Sequence, residues 1–292
     1  MFFVSSLSLV LYMYYATIRL NVFSIKPLIN FIRAREIIVY SFNTWIGYLG
    51  QVFFSQFDKI LIARICSPEI LGIYAAIVSI TSYVSSLASV GLQPIIPRLT
   101  TYWMKLESHK DKFINEYIYA AKFNAFLVFS CSSLLFVLTK FFLSNIMNIN
   151  LSVNKDANLA FQLAIFIYAI NALSVPGFYA LTSTKKTKHL SFWQITGSFT
   201  ALFLIYYLAT KNALYGAVAG NAGLAVTIMF NFIVDKMINK RLFFSIVIIL
   251  KQLLSFVFVC IGIVYFDNLI VSFVLTPTLI AYQLYLYTKD CL

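Results

Sequence analysis

Charged side chains are scarce in this sequence: Asp, Glu, Lys and Arg together make up 11% of 292 residues, where a soluble domain carries about a quarter. Only ten are acidic, which leaves few groups for acid and base chemistry. There is no Gly-rich phosphate loop, so an ATPase is excluded for this chain. No His cluster, no paired carboxylates with metal-ligand spacing and no Ser/His/Asp constellation can be placed on one side of a membrane. The two histidines, His109 and His189, fall in polar connections and read as solvated. The four cysteines, Cys66, Cys131, Cys260 and Cys291, are far apart and form no metal-ligand pair, so they read as small apolar fillers. The chain therefore reads as a non-enzyme with neither cofactor nor metal. A basic leader followed by a small-residue cleavage site is also missing, so no cleavable signal peptide is expected.

What is abundant is apolar surface. Hydrophobic residues are 61% of the chain and the mean hydropathy is +0.86. Crossing roughly 30 Å of hydrocarbon takes about 20 apolar residues, and such runs recur at 3–20, 37–65, 70–95, 117–142, 159–182, 189–209, 212–233, 243–266 and 269–287. The runs are continuous and lack the alternation of a barrel, so each must satisfy its own backbone hydrogen bonds as a helix. The expected fold is all-α, a polytopic helical membrane protein of about nine transmembrane helices. No connection is long enough for a domain outside the bilayer; the largest, 98–117, is charged and predicts an amphipathic helix at the interface.

The net charge of +12 does not point to nucleic acid, because the Lys and Arg residues are scattered through short connections. They follow the positive-inside rule instead. Arg19, Lys26, Arg33, Arg35, Arg98, Lys105, Lys110, Lys112, Lys122, Lys185, Lys186, Lys188, Lys236, Lys240, Arg241, Lys251 and Lys289 fall on one side of a nine-span layout. Lys59, Arg64, Lys140, Lys155 and Lys211 fall on the other. This alternation predicts an inner (plasma) membrane protein with its N-terminus outside and its C-terminus cytoplasmic.

Polar residues inside the spans are the candidate functional groups. On the second span Thr44, Gly47, Tyr48, Gln51, Ser55 and Asp58 project within about 40° of one line, with Lys59 beside it. A carboxylate and an amine in such a run are expected to face helices or water, not acyl chains. Counting from Arg35 at about 1.5 Å per residue places Asp58 roughly 30 Å in, near the outer boundary. There it either fixes helix depth in an ion cluster with Lys59 or lines a solvated cavity. Ser67, Pro68 and Glu69 read as N-cap, first helical position and first turn of the third span. That span carries Gly72, Ala75, Ser79, Ser82, Tyr83, Ser86 and Gln93 along one line, a small and hydroxylated face expected to pack against the polar stripe of the second. It should end where Pro94 and Pro97 interrupt the ladder. Lys122 and Asn124 are expected one turn into the fourth span, Gln162 and Asn171 precede a kink at Pro176-Gly177, and Asn221 sits in GAVAGNAG. In that segment Gly216 and Gly220 have the spacing of close helix contact. Lys251 falls near mid-membrane if 243–266 is one straight span, which is costly. The alternative, and the preferred expectation, places residues 236–251 along the inner interface as an amphipathic helix.

Two stretches carry a resemblance. FDKILIARICSPEILGIYAAIVSI, followed by a small-residue helix closing on PIIPRL, resembles the hairpin that opens the C-terminal lobe of lipid-linked oligosaccharide flippases. These are the O-antigen and capsular polysaccharide exporters of the MOP superfamily, to which the MATE transporters also belong. FYALTSTKKTKHLSFWQITGSFTALFLIYYLATKNALYGAVAGNAG resembles a later hairpin of the same lobe. The resemblance implies that residues 1–35 correspond to the last helix of an N-terminal lobe with its inner linker, 36–235 to a six-helix C-terminal lobe and 236–292 to an additional helix pair. About five helices of the family pattern have no counterpart, which implies either a fragment or assembly with a separate polypeptide that supplies the missing lobe. The implied partners are membrane lipids and an undecaprenyl-pyrophosphate-linked oligosaccharide, moved from inner to outer leaflet for polysaccharide synthesis. Arg98, Lys122 and Lys59 are then candidates for the anionic headgroup. Asp58, with Gln51 and Ser55 on the same stripe, is the candidate for ion coupling. The alternatives are a multidrug, ion-coupled exporter of the same superfamily and a polysaccharide polymerase or ligase. The latter is disfavoured because its large Arg-bearing outer loop has no equivalent in 143–158.

Overall fold

A computed structural model describes residues 31–149 and 155–238, side chains 31–34, 36, 106–109 and 155 excepted, together with isolated positions between 250 and 282. The chain separates into two compact units, Met1–Ser41 and Phe42–Leu292; the sites below lie in the second. Among the described residues there is no strand. The main helices are α1 (Phe31–Ile65), α2 (Pro68–Leu92), α3 (Ile95–Met104), α4 (Leu106–Val137), α5 (Lys155–Ala172), α6 (Val175–Ser183), α7 (Thr187–Ala209), α8 (Ala213–Gly220) and α9 (Met229–Met237), with short helical turns at Thr139–Phe141 and Phe142–Ile146.

Five stretches are long and apolar enough to cross a membrane: Pro68–Leu92, Lys110–Val137, Asp156–Ser183, Thr187–Ala209 and Ala213–Met237. They match five of the nine expected spans. The span at 37–65 is helical throughout and α1 is about 52 Å long, but it is not among these five. The spans at 3–20 and 269–287, most of 243–266, and the interfacial segment 236–251 beyond Ile238 lie outside the described residues. The protein is thus a multi-pass helical membrane protein.

Local chemistry accounts for several helix ends. Ser67 caps α2, its hydroxyl accepting the Ile70 N–H at 3.4 Å, with Pro68 and Glu69 opening the first turn. α2 stops at Leu92, and Pro94 stands just before α3. Pro97 does not interrupt anything. It falls in the first turn of α3, where its missing N–H has no partner to lose. The expected amphipathic segment is therefore two elements. α3 buries Ile95 and Leu99 while Arg98 and Thr101 are exposed, and α4 begins already at Leu106. For the same reason Lys122 lies more than four turns into its helix, not one.

The kink expected at Pro176-Gly177 is a full break at Leu173-Ser174. Pro176 cannot donate to the carbonyl of Ala172, and the Asn124 side chain on α4 takes that carbonyl instead, its Nδ2 donating at 2.9 Å. The rod formed by α5 and α6 is the centre of the bundle: 67% of its most apolar stretch is buried, against 28% for α2 and for α7. Phe256, from the chain beyond α9, reaches into this core with its ring 5.4 Å from Phe129 and 5.0 Å from Phe166.

The hairpin of α7 and α8 is built on glycine. A Cβ on Gly216, Gly220 or Gly223 would strike the backbone of Leu208, Ile205 or Ala201 respectively, so the small-residue spacing does bring two backbones into contact. The other face of α7 is a line of exposed rings, Phe192, Phe199, Phe203 and Tyr206, suited to lipid.

Candidate functional site

Spans joined by short turns alternate in direction, which gathers the turns at 93–105 and 184–186 and the end of α9 at one end of the bundle. Exposed there are Arg98, Lys105, Lys110, Lys112, Lys185, Lys186, Lys188 and Lys236. The turns at 66–67, 138–149 and 210–212 form the other end, with the exposed cations Arg64, Lys140 and Lys211. Lys211 is anchored on Tyr207, donating to its hydroxyl at 2.8 Å with Nζ 4.3 Å above the ring. That arrangement suits an aromatic residue at a membrane interface.

Asp58 is buried at this second end, with 1% of its surface exposed. Its Oδ2 accepts the Tyr74 hydroxyl of α2 at 3.0 Å, and its Oδ1 accepts the backbone N–H of Lys59 at 2.6 Å. Asn221, fully buried where α8 gives way to 3₁₀ turns (Asn221–Ile228), donates through Nδ2 to the Tyr74 oxygen at 3.1 Å and to the carbonyls of Ala217 and Val218. Three helical rods thus converge on one carboxylate. The Lys59 side chain forms no ion pair with it within 4.0 Å, whereas Arg98 and Glu116 pair at 3.2 Å. A carboxylate with neutral hydrogen-bond partners in an apolar bundle is expensive to keep charged. It is a natural place for a cation or a proton to dock.

The polar line that ends at Asp58 divides. Gly47 is buried against Ser191 and Gln194 of α7, and the Ser191 hydroxyl donates to the carbonyl of Asn43. Tyr48, Gln51 and Ser55 are exposed, Ser55 returning its hydroxyl to the Val52 carbonyl at 2.9 Å. The expected packing of the α2 small-residue face on this stripe does not occur. Gly72, Ser79, Tyr83 and Ser86 are exposed, and α2 buries the opposite line of Tyr74, Ile77, Thr81, Val84 and Ala88. The exposed face forms one wall of an open cleft of about 840 Å³, closed across by Ile146–Ile149. Ser79, Ser82 and Ser86 satisfy themselves on carbonyls one turn back, so this face needs no helix against it.

Of the headgroup candidates, Lys59 is half-buried beside Asp58, and Lys122 is half-buried on α4. Arg98 lies at the opposite end of the bundle from Asp58, its side chain 68% exposed and paired to Glu116 at 3.2 Å. The three cations are therefore spread along the bundle and form no single pocket. Sequence reading missed Tyr74. Its signal was a hydroxyl on an otherwise apolar helical line, which needs a buried partner. Asn221 stands out by its polarity within GAVAGNAG, but its bond to Tyr74 of α2 spans the fold.

Compared with known proteins, the chain matches no family model, no curated protein and no solved structure.

Proposed function

We propose that this protein carries a polyprenyl-pyrophosphate-linked oligosaccharide from the inner to the outer leaflet of the cell membrane as a lipid flippase. The observation that carries the reading is the buried Asp58 carboxylate, held by Tyr74, which Asn221 holds in turn, on a helix whose surface line exposes Gln51 and Ser55. Ionisable groups at membrane depth mark pathways for ions and charged substrates. Lys59 beside that site, Lys122 along α4 and Arg98 at the cation-rich end are graded positions for an anionic pyrophosphate, which guanidinium and ammonium groups bind through charge-assisted hydrogen bonds. The cation-rich end is then the cytoplasmic entrance, and Asp58 takes up the coupling ion.

The test is binding of radiolabelled undecaprenyl-pyrophosphate oligosaccharide to the purified chain in lipid nanodiscs. Saturable binding that weakens at least fivefold in Arg98→Ala or Lys59→Ala supports the reading. A second reading, an ion-coupled exporter of lipophilic cations, is favoured by Asp58 having no ion pair among the described residues. Capture of a lipophilic cation that depends on Asp58, with no binding of the pyrophosphate lipid, would decide for it.

A further inference from the structure

Two of the rods are interrupted at the same depth. α5 ends at Ala172 and resumes as α6 at Val175, while α8 passes through 3₁₀ turns over Asn221–Ile228 and resumes as α9 at Met229. Side chains cross between the interruptions: the Thr227 hydroxyl donates to Asn171 Oδ1 at 2.9 Å and Asn231 Nδ2 donates to the Leu173 carbonyl at 2.9 Å. The neighbouring α4 runs unbroken from Leu106 to Val137 past this level. Beyond the breaks α6 and α9 lie backbone to backbone. A Cβ on Gly177 would come within 2.6 Å of the Asn231 nitrogen and 2.7 Å of the Phe230 carbonyl carbon, and the Phe178 and Phe230 rings meet at a tilt of 53° with centroids 6.2 Å apart.

We propose that α6 and α9 form one rigid body that swings on the paired breaks at 173–174 and 221–228, opening and closing the cation-rich end against the α4 frame. Helix breaks made by proline and by 3₁₀ turns are where rods bend, and a hinge is a few such residues that absorb the change in backbone angle. The polar groups at the joint make bending tolerable in an apolar bundle. The carbonyls of Ala172 and Leu173, which lose their partners in the helix, are held by the amides of Asn124 and Asn231, so these two acceptors stay satisfied at the bend. Asn124 Oδ1 is buried without a partner and offers an acceptor that a different bend angle would satisfy. The bonds that must yield are those from the Tyr179 hydroxyl of α6 to the Ser89 carbonyl of α2, at 2.9 Å, and from the Ser183 hydroxyl of α6 to the Ile96 carbonyl of α3, at 3.3 Å. Asn231 works as the latch, since it ties α9 both to the break and, through its Oδ1, to the Tyr117 hydroxyl at 3.3 Å.

The test uses spin labels on a ketone-bearing residue introduced at exposed positions, which leaves the native cysteines alone, with the full chain in lipid nanodiscs. The pair 185/236 reports within the α6–α9 body, and the pair 159/236 reports across the breaks. A single narrow distance for the first and a two-component distribution for the second is expected, with Asn231→Ala shifting the component ratio at least fivefold. If Asn231→Ala does not yield monodisperse protein, Thr227→Val, which keeps side-chain volume, is read by the same criterion. A cross-break distance as narrow as the internal one in the parent and the variant, or equal broadening of both pairs, overturns the proposal.

Discussion

The Tyr74 hydroxyl donates to Asp58 at 3.0 Å and is itself held by Asn221 at 3.1 Å. One phenol therefore links α1, α2 and the start of the 3₁₀ stretch after α8. Tyr74→Phe removes the donor, leaves Asp58 Oδ2 without that partner and should cost about 1–3 kcal/mol. Tyr207→Phe, which loses only the exposed contact to Lys211, should cost less than about 0.5 kcal/mol. Thermal unfolding of the two variants in detergent, compared with the parent, checks the ordering; equal shifts would remove the buried triad from the account.

Gly216→Ala should lower stability by about 1–3 kcal/mol through overpacking, because its Cβ would overlap the backbone of Leu208, which has no flexible side chain to give way. Gly72→Ala is the control. Nothing lies within 4 Å of the added methyl, and alanine lowers the entropy of the unfolded chain, so a gain of about 0.4–1 kcal/mol is expected. The same thermal measurement reads both signs.

Arg98 is mostly exposed, and its pair with Glu116 should contribute less than about 1 kcal/mol to stability. Arg98→Ala is expected to leave the unfolding midpoint nearly unchanged. A loss of pyrophosphate-lipid binding in that variant would then report on recognition and not on folding.

Accessibility labelling of single introduced cysteines at 186 and 211 in intact cells should show 186 protected and 211 modified by a membrane-impermeant maleimide, as the positive-inside rule requires. Modification of 186 with protection of 211 would invert the topology and with it the direction of the proposed entrance.

Several features were legible in the sequence because they depend on neighbours along the chain. The Ser67-Pro68-Glu69 start of α2, the break near Pro176 and the close approach at Gly216 and Gly220 follow from local backbone chemistry. The partner of the polar stripe was not legible. Gly72, Ser79 and Ser86 fit close packing by size, yet serines that bond their own helix are equally content on a surface. Nothing in their spacing distinguishes the two.

By itself the sequence determined that this is a helical protein of the membrane, because apolar runs of about 20 residues can satisfy their backbones in hydrocarbon in no other way. It also set which ends of the helices carry the cations. Only the tertiary structure decided which face of each helix is buried, since that depends on the shape of other helices. It joined Asp58 to Tyr74 and Asn221, residues 16 and 147 positions apart in their links. It also brought the breaks in two distant rods to the same level, where Thr227 and Asn231 reach across to Asn171 and Leu173.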